Sequence, residues 1–310
     1  MSIYEFENPQ NSTVLFELEE HLDFFIKLYQ TQKFPKILML SGDKGVGKFT
    51  LINHFLNYIF DDQYNSQKKI IKKDSTVYKE YLNNIFPNII YLQGSSYKNI
   101  KIDDIRSLKS TLMKSTLLKK DRFIVLDDVE LFNVNSLNAL LKIIEEPKSN
   151  DFFILINNKT KSLLKTIYSR SIEIKILLAK KVRLNIINSL IKKNNLKVLI
   201  DYESFYLTPG NFLSFNNICE ENEIDLNDYF ITNLETLLNL YKKKKNMNII
   251  NFILFLNDIH FQKIKEKKNY NIDKISKDKS YIIDNINKLV TFNLNNNALI
   301  NAIKEKLSDE

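Results

Sequence analysis

Ile37-Leu38-Met39-Leu40-Ser41-Gly42-Asp43-Lys44-Gly45-Val46-Gly47-Lys48-Phe49-Thr50 joins an apolar run to a glycine-rich turn closed by a lysine. The run Ile37 to Leu40 reads as a buried strand, and Thr50 to Phe60 reads as the helix behind it. Gly42, Gly45, Gly47 and Lys48 therefore sit in the strand-loop-helix setting that a phosphate-gripping loop requires. In such a loop backbone N–H groups converge on an anion, the Lys neutralises terminal phosphates, and the next residue's hydroxyl holds Mg²⁺. Phe49 occupies that last position and carries no oxygen. Thr50 is displaced by about 100° around a helix of 3.6 residues per turn, which makes it a poor substitute. The stretch predicts a nucleotide-binding architecture with impaired metal and hydrolytic chemistry.

Outward from this loop, short apolar runs alternate with amphipathic stretches from Met1 to about Ile176, the rhythm of a parallel sheet flanked by helices. The expected strands are Ile37 to Leu40, Ile89 to Leu92, Phe123 to Leu126, Phe152 to Ile156 and Ile172 to Ile176. Lys68 to Asp74 is charged, unpatterned and expected at the surface. Beyond Ile176 helical periodicity takes over: Val182, Ile186, Leu190 and Ile191 form one stripe, and Ile249, Phe252, Ile253 and Leu256 another. Pro209-Gly210 punctuates the chain, and Ala298 to Leu307 reads as a closing helix. The expected organisation is an α/β P-loop domain over residues 1–176, a small helical lid over 177–218 and an all-α C-terminal domain over 219–310.

A chain of 310 residues with 44% hydrophobic residues can build real cores. The single Cys219 excludes an intrachain disulfide and a multi-cysteine zinc site, which suits a reducing cytosol. Met1-Ser2-Ile3-Tyr4-Glu5 lacks a basic head followed by an apolar run, and no stretch has the length to cross a bilayer, so a cytoplasmic protein without membrane contact is expected. The formal charge of +8 permits electrostatic contact with nucleic acid. However, Arg occurs only at positions 106, 122, 170 and 183 in a chain rich in Lys, Asn and Ile, a bias that looks genome-wide. Lys242 to Lys245 and the Lys263, Lys265, Lys267 and Lys268 series accordingly read as solvated faces. His21, His54 and His260 are scattered and receive no catalytic role.

A nucleotide site needs an acidic residue at the end of a second buried strand to hold magnesium through water. Phe123-Ile124-Val125-Leu126-Asp127-Asp128 supplies it, with Asp127 in the magnesium role and Asp128 where many ATPases place a water-activating Glu. Leu137, Leu140, Leu141 and Ile144 then make a helical stripe stopped by Pro147. The segment Asn138-Ala139-Leu140-Leu141-Lys142-Ile143-Ile144-Glu145-Glu146-Pro147 resembles the NALLKxxEEP helix of bacterial clamp loaders, the AAA+ complexes that open a ring-shaped sliding clamp and place it on primed DNA. Phe153 to Ser171 is similar, without gaps, to that family's sensor and Ser-Arg-Cys segment, here Ser169-Arg170-Ser171. Ile102 to Leu108 and Pro209-Gly210-Asn211-Phe212-Leu213 extend the likeness.

Within that family the better match is the delta-prime type of subunit, in which the residue after the P-loop Lys is often apolar or small. The resemblance implies a stator in a ring, partnered by tau or gamma motor subunits and a delta subunit through a C-terminal helical collar, with the clamp and primed DNA reached through the complex. It implies that Arg170 is an arginine finger lent to a neighbour's ATP site, and that Asn158 (or Asn157) is the polar sensor. It also expects a second sensing Arg near Pro209, and none follows Arg183. No cofactor is required, zinc is not expected, and residual ATP or ADP binding is compatible with Lys48 and the glycines. Any polymerase activity belongs to the DNA polymerase III holoenzyme. The alternative is an ATP-hydrolysing motor of the tau or gamma type that shifts its magnesium ligand to Thr50 or water. A more distant one is an unrelated P-loop kinase.

Overall fold

The computed structural model describes residues 11–94, 100–114, 120–266, 272–292 and 294–308. Met1 to Glu5, Lys267 and Lys268, which carried expectations above, lie outside them. Contacts divide the chain into two compact units: residues 1–194 with 208–210, and residues 195–207 with 211–310.

The first unit is built on five parallel strands, β1 (Ile37–Ser41), β2 (Ile89–Gln93), β3 (Arg122–Asp127), β4 (Asp151–Asn157) and β5 (Ile172–Lys175). Each expected strand is present, with ends shifted by a residue or so. Their order in the sheet is β2-β3-β4-β1-β5. Between them run α1 (Glu19–Gln30, ahead of β1), α2 (Lys48–Phe60), α3 (Thr76–Leu82), α4 (Ile102–Met113), α5 (Val134–Ile144) and α6 (Lys165–Tyr168), and α7 (Lys180–Asn194) follows β5.

Parallel strands covered on both faces read as continuous apolar runs, because successive side chains enter opposite layers. Leu38, Leu40, Phe123, Val125, Ile154 and Ile156 join one core with Phe25 of α1 and Leu51, Phe55 and Leu56 of α2. Met39, Ile124, Leu126, Phe153 and Leu155 join the other with Ile105 and Leu108 of α4 and Leu137, Leu140 and Ile144 of α5. Fully burying one such side chain contributes about 1.5–3 kcal/mol. Ile71 is buried in the first layer although its charged neighbours Lys72 and Lys73 are exposed, so the segment Lys68 to Asp74 is tied down at one point rather than wholly superficial.

Arg122 and Asp151 are register partners at the starts of β3 and β4. The guanidinium donates through Nε and Nη2 to the carboxylate at 2.9 and 3.0 Å, and also to the carbonyls of Thr111 and Leu112. Both side chains are only 5% exposed, so this fork is a buried staple between neighbouring strands.

The second unit is helical: α8 (Pro209–Asn222, of which Pro209 and Gly210 group with the first unit), α9 (Phe230–Lys244), α10 (Met247–Lys265), α11 (Ile272–Phe292) and α12 (Asn296–Ser308). Pro209 opens α8, where its missing N–H costs nothing. This helix continues through residue 218, and contacts group α7 with the first unit. Ile249, Phe252, Ile253 and Leu256 are buried as their spacing requires, and Lys242 to Lys245 are exposed. His260 stacks on Phe230 with ring centroids 4.3 Å apart. Among the described residues no helix is long and apolar enough to cross a membrane.

Candidate functional site

The strand order assembles the site. β4 lies between β1 and β3, so the loop after β1, the end of β4 and the end of β3 come side by side at one edge, with Ser41 paired to Asn157 and Gln93 to Asp127. Loops at the carboxyl ends of strands, at the point where strand order reverses, form the binding crevice of such sheets.

Gly42, Gly45 and Gly47 all have positive φ. Gly47, at φ +96°, is the left-handed N-cap of α2, and a Cβ there would stand 2.9 Å from Leu18 Cδ1. Lys48 is 3% exposed, and its Nζ donates to the carbonyls of Gly42 and Asp43, both at 2.7 Å. Burial pulls its pKa down to about 8 against the opposing pull of Asp127 and Glu130.

Phe49 is buried and stands edge-on to Tyr91, with ring centroids 5.2 Å apart. Tyr91 donates its hydroxyl to Asp127 Oδ2 at 3.2 Å, while Asp127 Oδ1 accepts the backbone N–H of Asp128 at 2.9 Å. Both oxygens of the expected magnesium acid thus have protein partners. Burial and the neighbouring Asp128 charge push the Asp127 carboxyl up to about 7. Burial, with the Asp127 charge next, likewise raises the Tyr91 phenol. Thr50 is partly exposed on α2 and makes no side-chain hydrogen bond among the described residues.

Asp128 turns the chain with φ +51° and accepts from Asn158 Nδ2 at 2.7 Å. Of the two sensor candidates, Asn158 therefore reaches the acidic pair, whereas Asn157 Nδ2 donates to Tyr168 Oη at 2.9 Å. Glu130 is 4% exposed. Its Oε1 accepts from Asn158 N at 3.1 Å and Thr160 Oγ1 at 2.8 Å, and its Oε2 is buried with no partner among the described residues. Across the loop, Thr208 Oγ1 donates to Lys44 O at 2.7 Å and Gly210 N to Gly45 O at 2.9 Å, pinning the P-loop backbone. A Cβ on Gly210 would lie 2.7 Å from Gly45 Cα, so only glycine fits this close approach.

Arg170 is brought into none of this. It follows α6 and precedes Ile172, which pairs with Leu38 near the start of β1, whereas the P-loop begins beyond Ser41, paired with Lys175. Three residue steps at about 3.3 Å each set the two ends of that pairing roughly 10 Å apart along the sheet. Arg170 donates to Glu145 Oε1 at 2.7 Å and to Thr166 O at 3.1 Å. The geometry separates two groups that sequence spacing alone leaves unordered: a nucleotide crevice at one edge and Arg170 at the other.

Sequence reasoning missed Tyr91, Glu130, Thr208 and Glu145 as participants. A tyrosine inside an otherwise aliphatic strand, and a glutamate three residues beyond the strand-end acid, were the available signals. Thr208 gives none, because its partner is more than a hundred residues away.

The sheet order, the loop after β1 and the acids on the non-adjacent β3 define a P-loop nucleotide-binding domain of AAA+ type. A family model described as DNA polymerase III, delta subunit, matches residues 18–179, just over half of the chain, and the chain belongs to this family. Among curated relatives, the gamma subunit of DNA polymerase III from Buchnera aphidicola subsp. Schizaphis graminum is 25% identical over 228 residues, 70% of this chain and 60% of that protein. The delta' subunit from Buchnera aphidicola subsp. Baizongia pistaciae is 27% identical over 163 residues, 52% of this chain and 47% of the relative. The Pseudomonas aeruginosa delta' subunit is 36% identical over 76 residues, 24% of this chain and 23% of the relative. The matches thus span roughly half the length of the first curated relatives. A DNA polymerase III gamma subunit-related structure from Thermotoga maritima superposes with a TM-score of 0.49 at 15% identity, covering 90% of this chain and 96% of that one.

Proposed function

We propose that this chain is a delta-prime-like stator of the DNA polymerase III clamp loader, lending Arg170 to the ATP site of a neighbouring motor subunit while hydrolysing little or no ATP itself. The observation that carries this reading is the position of Arg170 at the sheet edge opposite its own P-loop. A guanidinium there cannot serve the chain's own crevice, yet it is presented where an adjoining subunit could receive it, and such a group stabilises charge on a transferring phosphoryl.

The crevice supports the same conclusion. Phe49 offers no metal ligand, and Tyr91 already occupies one oxygen of Asp127. Delta' names among the relatives agree, while the gamma and tau names keep the motor as the reading to be tested against. Lys48, Gly42, Gly45, Gly47 and Asn158 leave room for weak ATP or ADP binding without turnover, and Thr50 is the only hydroxyl near the metal position on α2. Partners are the tau or gamma and delta subunits, joined through the helical residues beyond 218, with the clamp and primed DNA engaged by the cytoplasmic assembly.

The test has two arms. The purified chain is titrated with ATP and Mg²⁺, and no turnover is expected; turnover abolished by Asp127→Ala would reject the stator in favour of the motor. In the reconstituted ring, Arg170→Ala is expected to leave assembly intact and slow DNA- and clamp-stimulated hydrolysis.

A further inference from the structure

Glu145 caps the C-terminal end of α5, where the carbonyl ends of the helix disfavour a negative charge, so its place is not explained by helix stability. Its carboxylate instead meets Arg170 across 25 residues of sequence, with Nη2 donating to Oε1 at 2.7 Å. Arg170 Nη1 is held independently by the carbonyl of Thr166 at 3.1 Å and by Ser169 Oγ at 3.5 Å. The terminal nitrogens of one planar fork are therefore anchored from three residues, whereas Nε has no protein partner among the described residues. Because a guanidinium is rigid, fixing its terminal nitrogens fixes the plane and the direction of the remaining Nε and Nη2 hydrogens. A guanidinium's Nε–Nη2 edge can take two phosphate oxygens side by side.

We infer that Glu145 is a positioning residue for Arg170, holding the guanidinium so that its Nε edge faces outward to a neighbour's phosphoryl group. The inference rests on the arginine-finger reading proposed above. The side chains are 35% and 47% exposed, and an ion pair of that exposure contributes little to folding. Its effect is orientation, and catalysis is sensitive to orientation: a displacement of about 1 Å can cost about a hundredfold in rate.

The experiment uses the complete reconstituted loader with every ATP site except the one facing Arg170 inactivated, and measures kcat and KM for ATP. Glu145→Ala should lower kcat by roughly fivefold to tenfold with KM unchanged, a smaller loss than that from Arg170→Ala. Glu145→Gln, which keeps the acceptor oxygen, should recover most of the rate. Adding Glu145→Ala to Arg170→Ala should cause no further loss. Wild-type or raised kcat in Glu145→Ala, or a loss that persists in the Arg170→Ala background, would overturn the positioning role. Unchanged turnover in Arg170→Ala alone would remove the finger reading itself, a result distinct from the failure of Glu145.

Discussion

At the carboxyl ends of the strands, the groups that would face a nucleotide are already occupied by the protein: Lys48 by two loop carbonyls, Asp127 by Tyr91, and Asp128 by Asn158. At the opposite end, next to the start of β5, Arg170 is anchored on one side and keeps its Nε free among the described residues. The same sheet thus carries an inward-looking polar cluster and an outward-looking cation. Buried polar groups need partners, and where a metal ligand is lost, a neighbouring hydroxyl can take over the stranded acid at less cost than leaving it unpaired. An exposed Arg is under no such pressure, because water satisfies what the protein leaves open.

The largest expected effect breaks the comparison at its outward end. With one active ATP site facing it in the reconstituted ring, Arg170→Ala should slow hydrolysis there by about 10³-fold, measured by phosphate release. Next is the staple at the same end of the sheet. Arg122→Ala strands the Asp151 carboxylate beneath 5% exposure and should lower unfolding free energy by about 3–5 kcal/mol, seen as a lower urea midpoint.

The inward end can be sharpened by restoring what it lacks. Phe49→Thr combined with Tyr91→Phe returns a hydroxyl to the metal position and frees Asp127 Oδ2, so calorimetric affinity for Mg·ATP should rise about tenfold, the worth of one hydrogen bond to a charged group. A flat response would show that the pinning of the loop by Thr208 and Gly210, rather than the missing ligand, closes the site.

The smallest effect is in pH dependence. The folded state raises Asp127 from the ordinary 3.8 to about 7, so between these values the native chain binds more protons than the unfolded one. Stability from this group is complete below about 4 and is lost as pH rises towards about 7. Asp127→Asn should therefore flatten the fall in melting temperature across that window.

Much of the first unit is legible in the chain because burial on both faces writes each strand as an unbroken apolar run. Ile37 to Leu40, Phe123 to Leu126 and Phe152 to Ile156 needed no partner to be recognised. The order β2-β3-β4-β1-β5 was not legible, since apolar runs carry no record of which neighbour they pair with. Nor does a helical stripe announce which compact unit its helix packs in: α7 groups with the sheet. In the site, the glycines, Lys48 and Asp127 stand out by spacing. Tyr91, Glu130 and Glu145 act through partners distant in sequence and do not.

The amino-acid sequence by itself determined the strand-loop-helix around Gly42 to Lys48, the absence of a hydroxyl at Phe49 and the Arg within Ser169-Arg170-Ser171, because each depends on residue type and local period. Only the tertiary structure decided that Tyr91 takes Asp127, that Asn158 rather than Asn157 meets Asp128, and that Arg170 stands at the far edge beside Glu145. Those outcomes follow from strand order and register, which arise from many packed side chains acting together and from no single stretch of the chain.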